Sequence, residues 1–156
     1  EIADVPTTTN RGYLTLHIAN DTLYIGCSYS GGIYKRSITS GPYDYEGGIS
    51  IFNGLYVTGI ESHDTGSENY LYVTTYTNPF SNSAYVGPGN TIVHVYDVDT
   101  DAIVEDSQIL TLSTLFTKPM VTMTVDSTNG FLWLNAQNAE QGSPSIGGLL
   151  RTCLPA

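Results

Sequence analysis

Basic residues are scarce in this 156-residue chain: five Lys and Arg stand against fifteen Asp and Glu, a formal net charge of -10. Phosphate recognition needs clustered cations, and the only adjacent basic pair is Lys35-Arg36. Nucleic acid and anionic membrane surfaces are therefore excluded as natural partners. Long apolar runs are also missing, and nothing approaches the roughly 18 residues of a membrane span. Helical periodicity is equally sparse. "EDSQILTLSTLFTKPM" comes nearest, but Pro119 ends it and β-branched residues thin it. No G-x-S-x-G elbow and no phosphate-binding glycine loop occurs, which removes the usual sequence marks of an α/β-hydrolase and of a nucleotide enzyme. Cysteine is limited to Cys27 and Cys153. Two distant thiols cannot form a metal knuckle, so they are either a disulfide closing a long loop or two small hydrophobes. The disulfide is the expectation, within or between chains.

What fills the chain instead is strand signal. "YLTLHIA", "TLYIGCS", "GGIYKRSI", "LYVTGI", "YLYVTTY", "TIVHVYDV", "VTMTVD" and "FLWLNA" are short, β-branched and aromatic, and are bounded by Gly, Asn, Asp or Pro. They predict an all-β fold. They also recur in order. A strand ending in a polar turn is followed by an aliphatic-aromatic-aliphatic triplet, then by a third strand. The triplets are Leu23-Tyr24-Ile25, Leu71-Tyr72-Val73 and Leu132-Trp133-Leu134, beginning at 23, 71 and 132. Three antiparallel meander units follow, over 13–50, 55–110 and 119–153 of a single domain spanning 1–156.

"LYVTTY" followed by "NTIVHVYDVDTDAIVE" resembles the YVTN-type repeat of β-propeller proteins, and "VTMTVDSTNGFLWLNA" is similar to the opening of a propeller blade. The resemblance implies blade-like units. It also implies roles seen among such proteins: surface protein, binding module or lactonase-like enzyme. Three blades do not close a ring that usually takes four to eight. Three arrangements answer this: two chains sharing a six-bladed ring, a piece of a longer propeller, or a compact β-sandwich.

Only 13% of residues are charged, with twelve tyrosines and two lysines. That composition points to a secreted, extracellular protein. The chain opens at Glu1 without methionine, consistent with a removed leader or with a piece of a longer chain. Asn20-Asp21-Thr22 is a sequon, making Asn20 the candidate glycosylation site of a glycoprotein. Tyr29, Tyr43, Tyr45, Tyr76 and Tyr85 fall in or near Gly-, Ser- and Asn-rich segments. Rings with a polar tip there suit glycan or protein contact, so these five are the candidate ligand-binding residues. His17, His63 and His94 form no ligand spacing. His17 and His94 each alternate with apolar neighbours, so each points away from them. Asp97, Asp99 and Asp101 read as a hairpin turn, not a calcium loop, because the coiling glycine is missing. Neither a metal nor another cofactor is expected.

The expected function is a secreted, non-catalytic interaction or structural module. It binds glycan or protein through loops, or assembles with copies of itself through β-edges. A fragment or subunit of a propeller hydrolase or lactonase-like enzyme is the alternative.

Overall fold

The computed structural model describes residues 13–27, 32–39, 45–76, 91–104, 110–111, 121–138 and 146–154. The described residues are all-β, with one 3-10 turn at Ser50–Phe52 and no α-helix. Three antiparallel sheets follow one another along the chain.

The first sheet runs β1 (Tyr13–Ala19), β2 (Thr22–Cys27), β3 (Gly32–Ser37), β4 (Tyr45–Ile49), each strand paired with the next. The second runs β5 (Tyr56–Asp64), β6 (Asn69–Tyr76), β7 (Thr91–Asp97), β8 (Ala102–Ile103), and β9 (Leu110–Thr111) also pairs with β7. The third runs β10 (Val121–Asp126), β11 (Phe131–Asn138), β12 (Ile146–Cys153). Each sheet is a meander, the order that short turns impose on antiparallel neighbours. A fourth strand extends two of the units: β8 is the return strand that the hairpin reading of the aspartate run implies, and β4 is the one not expected. "YEGGI", read as part of a loop, pairs with β3 through an irregular register at Lys35 and Arg36. Tyr45 therefore opens a strand.

The second sheet is the middle layer. Its β6 residues alternate between two buried faces. Leu71 and Val73 join Tyr24, Ile33, Ile49 and Phe52 of the first-sheet region. Tyr70 and Tyr72 join Met123, Leu132 and Leu134 of the third sheet. That is why "YLYV" reads as a continuous apolar run: from Tyr70 to Thr75 neither face meets water. The aromatic of one triplet packs among the aliphatic pair of the next. Tyr24 shares a cluster with Leu71 and Val73, and Tyr72 shares one with Leu132 and Leu134.

β5 lies against both β1 and β10, so the first strand of the second sheet touches the first strands of its neighbours. The approach is close at Gly26. A Cβ there would stand 2.5 Å from Thr15 Cγ2 and 2.7 Å from Val57 Cγ1. Gly32 has a φ of +69°, and a Cβ would meet the Phe52 carbonyl at 2.6 Å.

The intrachain disulfide does not form. Cys27 and Cys153 are not at bonding distance. Cys27 is fully buried on the face of β2 turned away from the second sheet, and Cys153 is exposed at the end of β12. The middle sheet separates them, and two sheet-to-sheet spacings of about 10 Å exceed the roughly 7 Å Cα limit of a disulfide.

Three outcomes follow from this structure. Gly26→Val is expected to cost about 1–3 kcal/mol in chemical denaturation, as overpacking does. Gly130→Ala, at φ +72° but in open space, should cost only about 1–2 kcal/mol for the left-handed backbone. Thiol labelling of the native protein should modify Cys153 alone, and Cys27 should react only after unfolding.

Candidate functional site

Polar turns set two residues apart cannot bury themselves, so they collect at the ends of the sheets. There the turns of the first and second sheets meet. Asn20 and Asp21, at φ 45° and 59°, make the two-residue β1–β2 turn. The β5–β6 turn is held from within: Asp64 Oδ1 accepts the Gly66 amide at 2.7 Å, and Thr65 Oγ1 accepts the Glu68 amide at 3.1 Å. Tyr70 donates its hydroxyl to Glu68 Oε2 at 2.6 Å, which with burial pushes the phenol up to about 12.

The aspartate run forms the β7–β8 turn, as the sequence predicted. Asp97 Oδ1 accepts the amides of Asp99 (2.9 Å) and Thr100 (3.3 Å), and Oδ2 accepts the Thr100 hydroxyl at 2.7 Å. These donors hold the Asp97 carboxyl below its ordinary range, the Thr100 hydroxyl most of all. Asp101, at φ 55°, accepts the Tyr96 hydroxyl. The three carboxylates thus point to separate donors. Among the described residues, no group of three His, Cys, Asp or Glu is placed to share a metal ion.

Asn69 joins the three turns. Its Oδ1 accepts Asn20 Nδ2 at 2.8 Å, and its Nδ2 donates to both oxygens of Asp99 at 3.0 and 3.3 Å. Its backbone carbonyl accepts the Val98 amide at 2.9 Å. Beside this bridge opens a cleft of about 470 Å³, lined by Asn20, Tyr24, Asp64, Glu68, Asn69 and Asp99 among others. A recess of about 110 Å³ adjoins it and reaches Ser62, His63 and Leu71. The cleft presents amides and carboxylates beside one tyrosine. Its acceptors suit a neutral ligand rich in hydroxyl donors, and its charge disfavours anions.

Two histidines lie between strands. His17 faces inward while Leu16 and Ile18 are exposed, and its Nε2 sits 2.8 Å from Ser62 Oγ on β5. His94 Nε2 sits 2.8 Å from Thr75 Oγ1, and the ring packs edge-on to Phe52 at 5.6 Å. Burial lowers the pKa of both.

None of the five tyrosine side chains expected to bind ligand is placed by the described residues. Tyr29, Tyr43 and Tyr85 lie outside the described residues, as do the side chains of Tyr45 and Tyr76. Tyr24, the aromatic of the first triplet, lines the cleft as well as the core. Asn20, singled out as a sequon, is part of the Asn69 bridge. Asn69, Asp64 and Glu68 went unnoticed because each looks like an ordinary turn residue; only the meeting of three turns distinguishes them. No family model matches the chain, and neither a curated protein nor a solved structure shows significant similarity to it.

The pH dependence of stability has a definite sign. The histidines have lowered folded-state pKa values, so the unfolded chain binds protons more readily and the fold weakens as pH falls through about 6.5. The Asp97 and Asp126 carboxyls are depressed, so their contribution is present above about 3.8 and is lost below it. Thermal melts should show two acid-side declines, and a His17→Gln/His94→Gln variant should flatten only the upper one. Asp97→Ala should cost about 1 kcal/mol at pH 7, the usual net worth of lost side-chain hydrogen bonds.

Proposed function

We propose that this chain is a secreted, non-catalytic recognition module whose three sheets stand in series as blade-like units. Its ligand is a neutral glycan or another polyhydroxylated partner, held in the cleft beside Asn69. The observation that carries the proposal is the Asn20–Asn69–Asp99 bridge, which fixes amide and carboxylate groups from two sheets before any ligand arrives. Preorganised polar groups lose little freedom on binding. The cleft carboxylates are each occupied by structural donors: Asp64 by a backbone amide, Glu68 by Tyr70, Asp99 by Asn69. That favours holding a ligand over shuttling protons. In this reading Asn20 keeps its amide for Asn69. The blade-like arrangement is supported by the meander order, by β5 lying against β1 and β10, and by the repeated aromatic-on-aliphatic packing. The surplus of tyrosine over lysine supports secretion.

A second reading rests on the 2.8 Å contact between Ser62 Oγ and His17 Nε2, the geometry of a nucleophile beside a base. It makes the chain part of a hydrolase. Ester turnover abolished by Ser62→Ala would establish it.

The test of the first reading is a neutral-glycan array followed by calorimetry. Asn69→Ala should weaken binding by about tenfold, the net worth of a hydrogen bond or two lost with the residue that positions Asn20 and Asp99, while the melting temperature stays near that of the parent. No binding by any neutral glycan, or binding indifferent to Asn69→Ala, would contradict it.

A further inference from the structure

The cleft beside Asn69 and the recess that adjoins it differ in character. Asn20, Tyr24, Asp64, Asn69 and Val98 border both. The recess has about a quarter of the cleft's volume, about 110 Å³ against about 470 Å³. It therefore takes a substituent of a ligand and not the ligand's body. Much of its wall is apolar. Leu71 and Tyr24 are buried members of the core cluster between the first and second sheets, and Ala19 and Val98, both partly buried, pack against that cluster. Ser62 also borders the recess, but its Oγ is already engaged with His17 Nε2 at 2.8 Å.

Two polar residues shared by cleft and recess have bonding capacity to spare. Asn20 Nδ2 carries two hydrogens and gives one to Asn69 Oδ1. Asp64 accepts the Gly66 amide on Oδ1, and a carboxylate has about four acceptor sites on its two oxygens. A donor and an acceptor thus stand where the polar cleft meets the apolar recess. That pattern selects the substituent. A hydroxyl or hydroxymethyl group would exchange water for aliphatic carbon, which costs free energy unless a partner replaces the water. An ammonium group would be drawn by Asp64, Glu68 and Asp99, yet it loses still more on leaving water. A bare methyl group suits the wall and leaves both polar partners unused. An acetamido group meets all three features: its N–H has an acceptor, its carbonyl a donor and its methyl group an apolar wall.

We infer that the recess is an acetamido subsite, and that the glycan held in the cleft carries an N-acetylated hexosamine. The methyl group lies against Ala19, Leu71 and Val98. The amide N–H donates to Asp64, and the carbonyl accepts the second hydrogen of Asn20 Nδ2. Acidic N-acetylated sugars are turned away by the carboxylates of Asp64, Glu68 and Asp99, because like charges repel. The inference rests on the cleft being the glycan site, and it adds the class of sugar.

The experiment is an NMR titration of the full chain at neutral pH with neutral methyl glycosides of the gluco and galacto series, alongside their amino and 6-deoxy counterparts. The N-acetylated sugars should bind about tenfold more tightly than the hydroxyl parents, the combined worth of one buried methyl group and about one net hydrogen bond. The Ala19 methyl signal, which belongs to the recess and not to the cleft, should move further with the N-acetylated sugars than with the parents. Ala19→Leu fills the recess and should bring the ratio of the two affinities down to about one. Val98→Thr keeps the shape of the wall but adds a hydroxyl, so it should lower the ratio with the melting temperature near that of the parent, and it reads the recess even where Ala19→Leu fails to fold. Equal affinity for N-acetylated and parent sugars, equal or tighter binding of the amino or 6-deoxy sugars, or a preference that survives the substitutions would each overturn the inference and leave the cleft reading standing. Binding of no neutral sugar would remove both.

Discussion

The constraint on which the structure depends is that one sheet must be apolar on both faces. β6 supplies it, with Leu71 and Val73 toward the first sheet and Tyr70 and Tyr72 toward the third. A small all-β chain with only 13% charged residues has few ion pairs to fall back on. Its stability comes from burying aliphatic and aromatic area. With the middle layer dry, the outer sheets are fixed by what they cover. The polar turns are then driven to the ends of the strands, where backbone groups meet water and side chains.

That exclusion creates the site. The Asp64–Glu68 and Asp97–Asp101 turns share one end of the second sheet, and Asn20 meets them only because the first and second sheets pack face to face. Asn69 then has a position no single hairpin could give it, accepting from one sheet's turn and donating to another turn of its own sheet. Packing and recognition are thus linked through one residue pair. Tyr24 belongs to both, with its ring in the core and its edge on the cleft.

The all-β class was legible because period-two alternation and β-branched residues have no competing helical pattern here. The aspartate turn was legible for the same local reason: Asp97 can cap its own backbone two and three residues on. What depended on tertiary contact was not legible. Cys27 and Cys153 looked like a pair by count alone, yet the middle sheet lies between them. "YEGGI" looked like a loop because glycine hides strand propensity, and its pairing is imposed by β3. His17 alternates with Leu16 and Ile18 as expected. The apolar pair, however, faces outward and the histidine inward, because β1 meets Ser62 on β5 and not an apolar neighbour. Asn69 carried no signal at all, since its partners are 49 and 30 residues away.

The central claim, that the second sheet is the doubly buried layer on which the others stand, is tested most directly by native-state hydrogen exchange resolved by strand. Amides exchange from openings whose free energy follows burial and packing. The account predicts that Leu71–Thr75 in β6 and Val93–Tyr96 in β7 exchange slowest, at the rate of global unfolding, with β1 and β12 opening earlier. Faster exchange in β6 than in β2 or β11, or uniform protection across all three sheets, would contradict it.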